Sequence, residues 1–184
     1  MPFPSVVAPS VWRASMPVAA IAAAFALRAS AAGLLEVDQT VFGMDCSPCA
    51  YSVEQGLKKL KGVTRVEVSL NQGKAMLVLA PDNEVTLAQI HALIRDAGFT
   101  PKEARIRVAG TVELLGDRVR LIAGRNSSYR LMPAPGLATR WPQIKTAPHG
   151  TVVEVVGEVQ EDAGDPPLVI VKDLRVPGPR GHGG

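Results

Sequence analysis

Gly43-Met44-Asp45-Cys46-Ser47-Pro48-Cys49 lies where the chain changes its hydrophobic period, and that change sets the fold. On its N-terminal side Leu34 to Phe42 reads as a strand, with Leu35, Val37 and Val41 on one face. On its C-terminal side Ala50, Val53, Leu57 and Leu60 recur at spacings of three and four, the stripe of an amphipathic helix. Ser47 is placed to cap that helix, and Pro48 to occupy its first turn, where a missing N–H breaks no hydrogen bond. Gly62 is expected to end it. The segment is therefore a strand-to-helix turn that carries two thiols.

Working outward, Val66, Val68 and Leu70 alternate with Arg65, Glu67 and Ser69, as a strand with one wet face requires. Asn71 to Lys74 reads as a hairpin turn, and Ala75 to Ala80 as a continuous apolar strand expected at the centre of the sheet. A second helical stripe follows in Leu87, Ile90, Leu93, Ile94 and Ala97, closed by Gly98. Phe99 opens a last strand containing Pro101; a proline lacks the ladder donor, so this strand is predicted to be an edge. The order is βαββαβ, the split form of the ferredoxin-like fold, and the fold class is α+β.

Beyond residue 104 no helical stripe appears. Val112–Leu115, Val119–Ile122, Ser128–Met132, Val152–Val159 and Leu168–Val171 are short β-type runs, with a Pro/Gly-rich interruption from Pro133 to Gly150 after the third. That pattern predicts a small all-β barrel of the OB type. The expected domains are a βαββαβ unit over 34–104, an OB-like unit over 105–176 and a disordered Pro/Gly-rich tail over 177–184.

Residues 1–31 read as an export signal: the apolar run Met16–Leu27 is shorter than the roughly 20 residues a bilayer span needs, and Ala29-Ser30-Ala31 offers small residues for cleavage. Arg28 is an unusual charge at that position. No later segment is long and apolar enough to cross a membrane, so the expectation is an exported, periplasmic monomer with no membrane span in the mature chain. Of the 184 residues 47% are hydrophobic and 4% aromatic, which excludes both a disordered chain and an aromatic platform for nucleic acid. The formal net charge of +3 carries no Lys/Arg run, and no nucleic-acid partner is expected.

The chemistry lies in the turn. Two thiols separated by two residues can converge on one ion, and Cys49 in the first helical turn gains thiolate character from the helix dipole and free amides. Thiolates are soft ligands, so the pair selects one Cu(I), Hg(II), Cd(II) or Zn(II) over Mg(II) or Ca(II). Two thiolates fall short of the four ligands of a structural zinc, and an ion held this way stays exchangeable. A bridge between the cysteines would close almost no loop, so stability is not their role. No catalytic triad, paired carboxylates or phosphate-binding loop accompanies them, and no enzyme activity is expected. The alternative is a dithiol oxidoreductase using the same CxxC; no Trp precedes Cys46, and the strand order differs from that of thioredoxin.

Read with its flanks, the segment resembles the heavy-metal-associated domain of copper chaperones, periplasmic mercuric-ion-binding proteins and metal-transporting P-type ATPases. The resemblance covers about residues 35–105: the Gly-Met-x-Cys-x-x-Cys loop, Leu60-Lys-Gly-Val63, Val66-Glu-Val-Ser-Leu70, Lys74 to Leu79 and Asp96-Ala-Gly-Phe99. It implies the same βαββαβ fold, metal ligands at Cys46 and Cys49, Met44 packed beneath the loop and Phe99 shielding the ion. Asp45 resembles the Gly-Met-Asp-Cys loop of zinc, cadmium and lead exporters, where the carboxylate adds a harder oxygen ligand, whereas copper chaperones usually carry Thr there. Two readings of Asp45 stay open, a third ligand or a solvated loop residue. His91, between Ile90 and Leu93, reads as a surface or core residue, and His149 and His182 as turn and tail residues. The expected function is capture of a soft ion and its transfer to a metal-transporting membrane protein or another metal-binding domain.

Overall fold

A computed structural model describes residues 32–148, 150–161 and 164–176; the expected signal, the tail, His149 and His182 lie outside them. Strand β1 (Gly33–Phe42), helix α1 (Ser47–Lys58), strands β2 (Val63–Ser69) and β3 (Lys74–Leu79), helix α2 (Leu87–Asp96) and strand β4 (Thr100–Leu115) follow in the expected βαββαβ order. The strands lie in the order β2-β3-β1-β4, all neighbours antiparallel. Val37, Val41, Val66, Leu77 and Ile106 are buried on one face of this sheet in the same core as Val53, Leu57, Ile90 and Ile94 of the helices. Each such side chain taken out of water contributes about 1.5–3 kcal/mol.

Helix α2 starts where its side chains satisfy its free amides. Thr86 accepts from the Gln89 amide at 3.2 Å, and the Gln89 side chain accepts from the Thr86 amide at 2.9 Å. It ends at Ala97, with Gly98 at φ +90°, a left-handed turn suited to glycine. Helix α1 closes earlier than its stripe suggests: it stops at Lys58, and Leu60 and Gly62 belong to the turn that leads into β2.

Three strand expectations are corrected by pairing. A register shift between Leu34 and Glu36 turns the start of β1, so that Leu34, not Leu35, is buried with Val37 and Val41. Strand β3 does lie between two others, but it alternates: Met76 and Val78 are 40% and 38% exposed on the sheet's open face. Strand β4 is not an edge, because it pairs with β1 through residues 100–109 and with a later strand from Ala104 to Thr111. Pro101 sits where β4 has only β1 beside it, so its missing donor breaks no ladder on the other side.

The later strands are β5 (Arg118–Ile122), β6 (Ser128–Pro133), β7 (Val152–Val159) and β8 (Leu168–Arg175), with a short 3₁₀ turn at Pro135–Leu137 and helix α3 (Pro142–Lys145) between β6 and β7. Their pairings close a five-stranded ring, β4-β5-β6-β8-β7 and back to β4, in which only β6 and β8 run parallel. Val119, Leu121, Tyr129, Leu131, Val155 and Val169 are buried there. Closure depends on two glycines. A Cβ on Gly110 would lie 2.2 Å from the Ile122 carbonyl oxygen, and one on Gly157 would lie 2.7 Å from that of Ile170.

The boundary expected between residues 104 and 105 falls inside β4, which belongs to both parts. Strand Val112–Leu115 of the sequence reading is the far end of that same strand. Among the described residues no helix is long and apolar enough to cross a membrane.

Candidate metal-binding site

Strand β1 delivers the chain to Gly43, whose φ of +89° makes the turn away from the sheet. Met44 then points inward, 3% exposed and part of the core, which anchors the loop from below. Asp45 and Cys46 are exposed, and Cys49 is half-buried against the same core. The cap of α1 is Cys46 and not Ser47: Cys46 has extended backbone, and its Sγ accepts the Cys49 N–H at 3.2 Å. The helix therefore begins one residue earlier than expected, with a sulfur in the place where an oxygen usually satisfies the free amides.

This placement does chemistry. The Cys46 sulfur receives a backbone N–H, and the first turn of α1 carries no acidic side chain, an environment that favours a thiolate there once the sulfur is reduced. Cys46 and Cys49 are joined in a disulfide. The two sulfurs therefore meet at one point on the surface, and the ligand pair becomes available when two electrons and two protons convert the bridge to a dithiol. The bridge closes so short a loop that it adds little to stability.

Phe99, half-buried, follows the exit of α2 and packs on the core beside the loop, since a Cβ on Gly43 would lie 3.9 Å from its ring. Its position suits a shield and not a ligand. Phe42 and Tyr51 flank the loop with 68% and 64% of their surface exposed, a feature the strand and helix patterns did not single out. Lys102 lies 5.9 Å from the Phe42 ring and pairs with Glu161 at 2.9 Å, so the β7–β8 connection reaches this end of the sheet. Among the described residues no group of three or more His, Cys, Asp and Glu is placed to hold an ion.

His91 serves the fold. Its Nε2 meets Gln39 Oε1 at 2.8 Å, and Gln39 is the buried polar side chain of the core. Burial, and then the Arg95 charge, hold the His91 pKa below its ordinary value.

Residues 40–100 match the family profile described as the heavy-metal-associated domain. Over 64 residues the chain is 41% identical to a copper-transporting ATPase of Saccharomyces cerevisiae, covering 35% of this chain and 6% of that protein. Over 82 residues it is 32% identical to a zinc/cadmium/lead-transporting P-type ATPase of Escherichia coli, covering 45% of this chain and 11% of that one. Among solved structures it is similar to the yeast copper transporter domain CCC2A, with 39% identity, a TM-score of 0.34, and coverage of 36% of this chain and 90% of that one. The chain thus spans only a small part of the transporting ATPases it matches. Residues 40–100, which include the exposed CxxC turn at the head of α1, are a heavy-metal-associated domain.

Proposed function

We propose that this protein captures a soft metal ion on the Cys46 and Cys49 thiolates and hands it to a partner by thiolate exchange, with Cu(I) as the cargo. The observation that carries the reading is the meeting of two cysteine sulfurs on an exposed turn, one of them capping α1, within a heavy-metal-associated domain. Cu(I) is satisfied by two thiolates, and relatives named for copper transport support that choice. Binding releases the thiol protons, so affinity rises with pH. A partner thiolate then joins the ion while one of this chain's thiolates leaves, which keeps the ion bound throughout the transfer. The partner is accordingly a thiolate-bearing domain, free-standing or part of a metal-transporting membrane protein.

The test is an anaerobic titration of the mature chain with Cu(I), Hg(II), Zn(II) and Cd(II) against chelators of known affinity. Reduced protein is expected to take up one ion per chain, and the disulfide form none. Tight binding by the oxidised chain, or none by the reduced one, overturns the reading. The disulfide also fits a dithiol oxidoreductase; catalytic turnover of a disulfide substrate by a chain that binds no soft ion would favour that alternative.

Asp45 divides the metals. If its carboxylate is a ligand, Asp45→Ala weakens Zn(II) or Cd(II) by about tenfold or more, roughly 1.4 kcal/mol, while Cu(I) affinity stays nearly unchanged. Removing the charge also lowers the pKa of the neighbouring thiols, an effect of opposite sign, so a loss cannot come from thiolate supply. Competition titrations of the two proteins read the difference; equal Zn(II) affinity makes Asp45 a loop residue.

Export rests on the apolar run Met16–Leu27 and the small residues after it. Protein recovered from the periplasm is expected to have an intact mass lacking residues up to about Ala31. An unprocessed chain retained in the cytosol would overturn this placement.

A further inference from the structure

The bridge between Cys46 and Cys49 joins two residues in unequal surroundings. Cys46 lies in the turn with Asp45, Ser47 and Pro48, all of them exposed. Cys49 lies inside the first turn of α1, next to buried Ala50, and packs against the core that holds Met44 and Val53. Its backbone N–H donates to Cys46 Sγ at 3.2 Å. One end of the bridge is thus open to solvent, and the other is half-covered by protein.

A thiolate opens a disulfide by attacking one of its sulfurs in line with the S–S bond, so access decides which sulfur is taken. Cys46, exposed in the turn, leaves room for that approach; Cys49, half-covered by helix and core, restricts it. We propose that the bridge is opened from Cys46 by a dithiol reductant. One thiolate of the dithiol bonds to Cys46 Sγ, the S–S bond breaks, and Cys49 Sγ leaves with the electron pair.

The second thiolate of the reductant then attacks the reductant's own sulfur in this mixed disulfide. A disulfide closes on the reductant, and Cys46 Sγ leaves with its electron pair. The cysteines gain two electrons, the dithiol loses two, and its two protons pass to the cysteines or to water. In this second step the Cys49 N–H, already directed at Cys46 Sγ, receives the charge that develops there. Cys46 is therefore the site of the covalent intermediate, and a thiol–disulfide exchange reaction precedes ion capture. Only that place before ion capture rests on reading the pair as the ion site; the order of attack rests on the bridge itself.

The test exposes the bridged mature chain to mercaptoethanol, quenches it in acid at short times and caps free thiols with N-ethylmaleimide; fragment mass spectrometry then locates each group. The earliest samples are expected to carry mercaptoethanol on Cys46 and maleimide on Cys49, at least about tenfold over the reverse arrangement. Equal amounts, or an excess of the reverse, overturn the proposal. A second measurement decides the matter where the mixed disulfide is too short-lived to collect. Cys49→Ser and Cys46→Ser, each with one thiol, are reacted with hydroxyethyl disulfide. Cys46 should form its mixed disulfide at least about tenfold faster than Cys49, and the difference should vanish in denaturant. Equal rates in the folded proteins overturn the proposal. Titration of the fully reduced chain with Cu(I) is a separate readout: its failure removes the ion reading and leaves the order of attack untouched.

Discussion

Cys46→Ser and Cys49→Ser are each expected to abolish tight one-to-one binding of a soft ion, the largest change any single substitution should produce here. A serine hydroxyl is neither soft nor ionised at neutral pH, so one thiolate remains and the chelate is lost. The fold should survive both changes. Cys46 is exposed, its bridge to Cys49 spans three residues, and in Cys46→Ser the new hydroxyl oxygen is itself a good N-cap that can accept the Cys49 N–H now received by sulfur. Chelator competition on the reduced proteins, with thermal melts beside it, separates loss of binding from loss of structure. Tight one-to-one binding in the double variant would move the site to another part of the chain.

Gln39→Leu should produce the largest change in stability among polar substitutions. Between Gln39 and Val41 the β1–β4 register slips, with Ala104 opposite Gln39 and Pro101 opposite Val41, so β4 carries an extra residue there. The Gln39 amide reaches that bulge, donating to Lys102 O at 3.0 Å, and also donates to Thr40 O of its own strand at 2.9 Å. With Nε2 so engaged, Oε1 is left to accept from His91 Nε2, which fixes the imidazole tautomer. Leucine fills the space and strands these partners, at a cost of about 2–4 kcal/mol, a large share of an ordinary domain's stability. A melt shifted by less than a few degrees would show that water replaces the amide.

The same network sets a pH dependence. His91 has a folded pKa below its unfolded value near 6.5, so the unfolded chain binds the extra proton first. Its contribution to stability is present above that value and is lost as pH falls through the folded pKa. The melting temperature should therefore decline on acidification below about pH 6.5, and His91→Gln, which keeps a donor for Gln39, should flatten that part of the profile.

Much of this architecture was legible in local pattern. The stripes at Val53 and Leu57, and at Leu87, Ile90 and Ile94, place both helices, and the alternation from Arg65 to Ser69 places β2. Cys46 and Cys49 could be singled out for the same reason: their spacing and their position before a helix are facts about neighbours in the chain. Where the reading missed, the missing quantity was long-range. Pro101 suggested an edge strand, but β7, about fifty residues later, occupies the far side of β4. Ser47 is the better capping residue by type, yet the path of the loop from buried Met44 puts the Cys46 sulfur at the free amides.

The sequence by itself determined the βαββαβ order, the two thiols at a helix start and the β-rich character of the second part, because hydrophobic period, turn residues and ligand spacing act over a few residues. Only the tertiary structure decided that one strand serves both parts, that Gly110 and Gly157 must lack side chains, and that Gln39 is buried and satisfied. Those outcomes depend on which strands become neighbours and in what register, and a pairing shifted by one residue would have turned every one of these side chains to the opposite face.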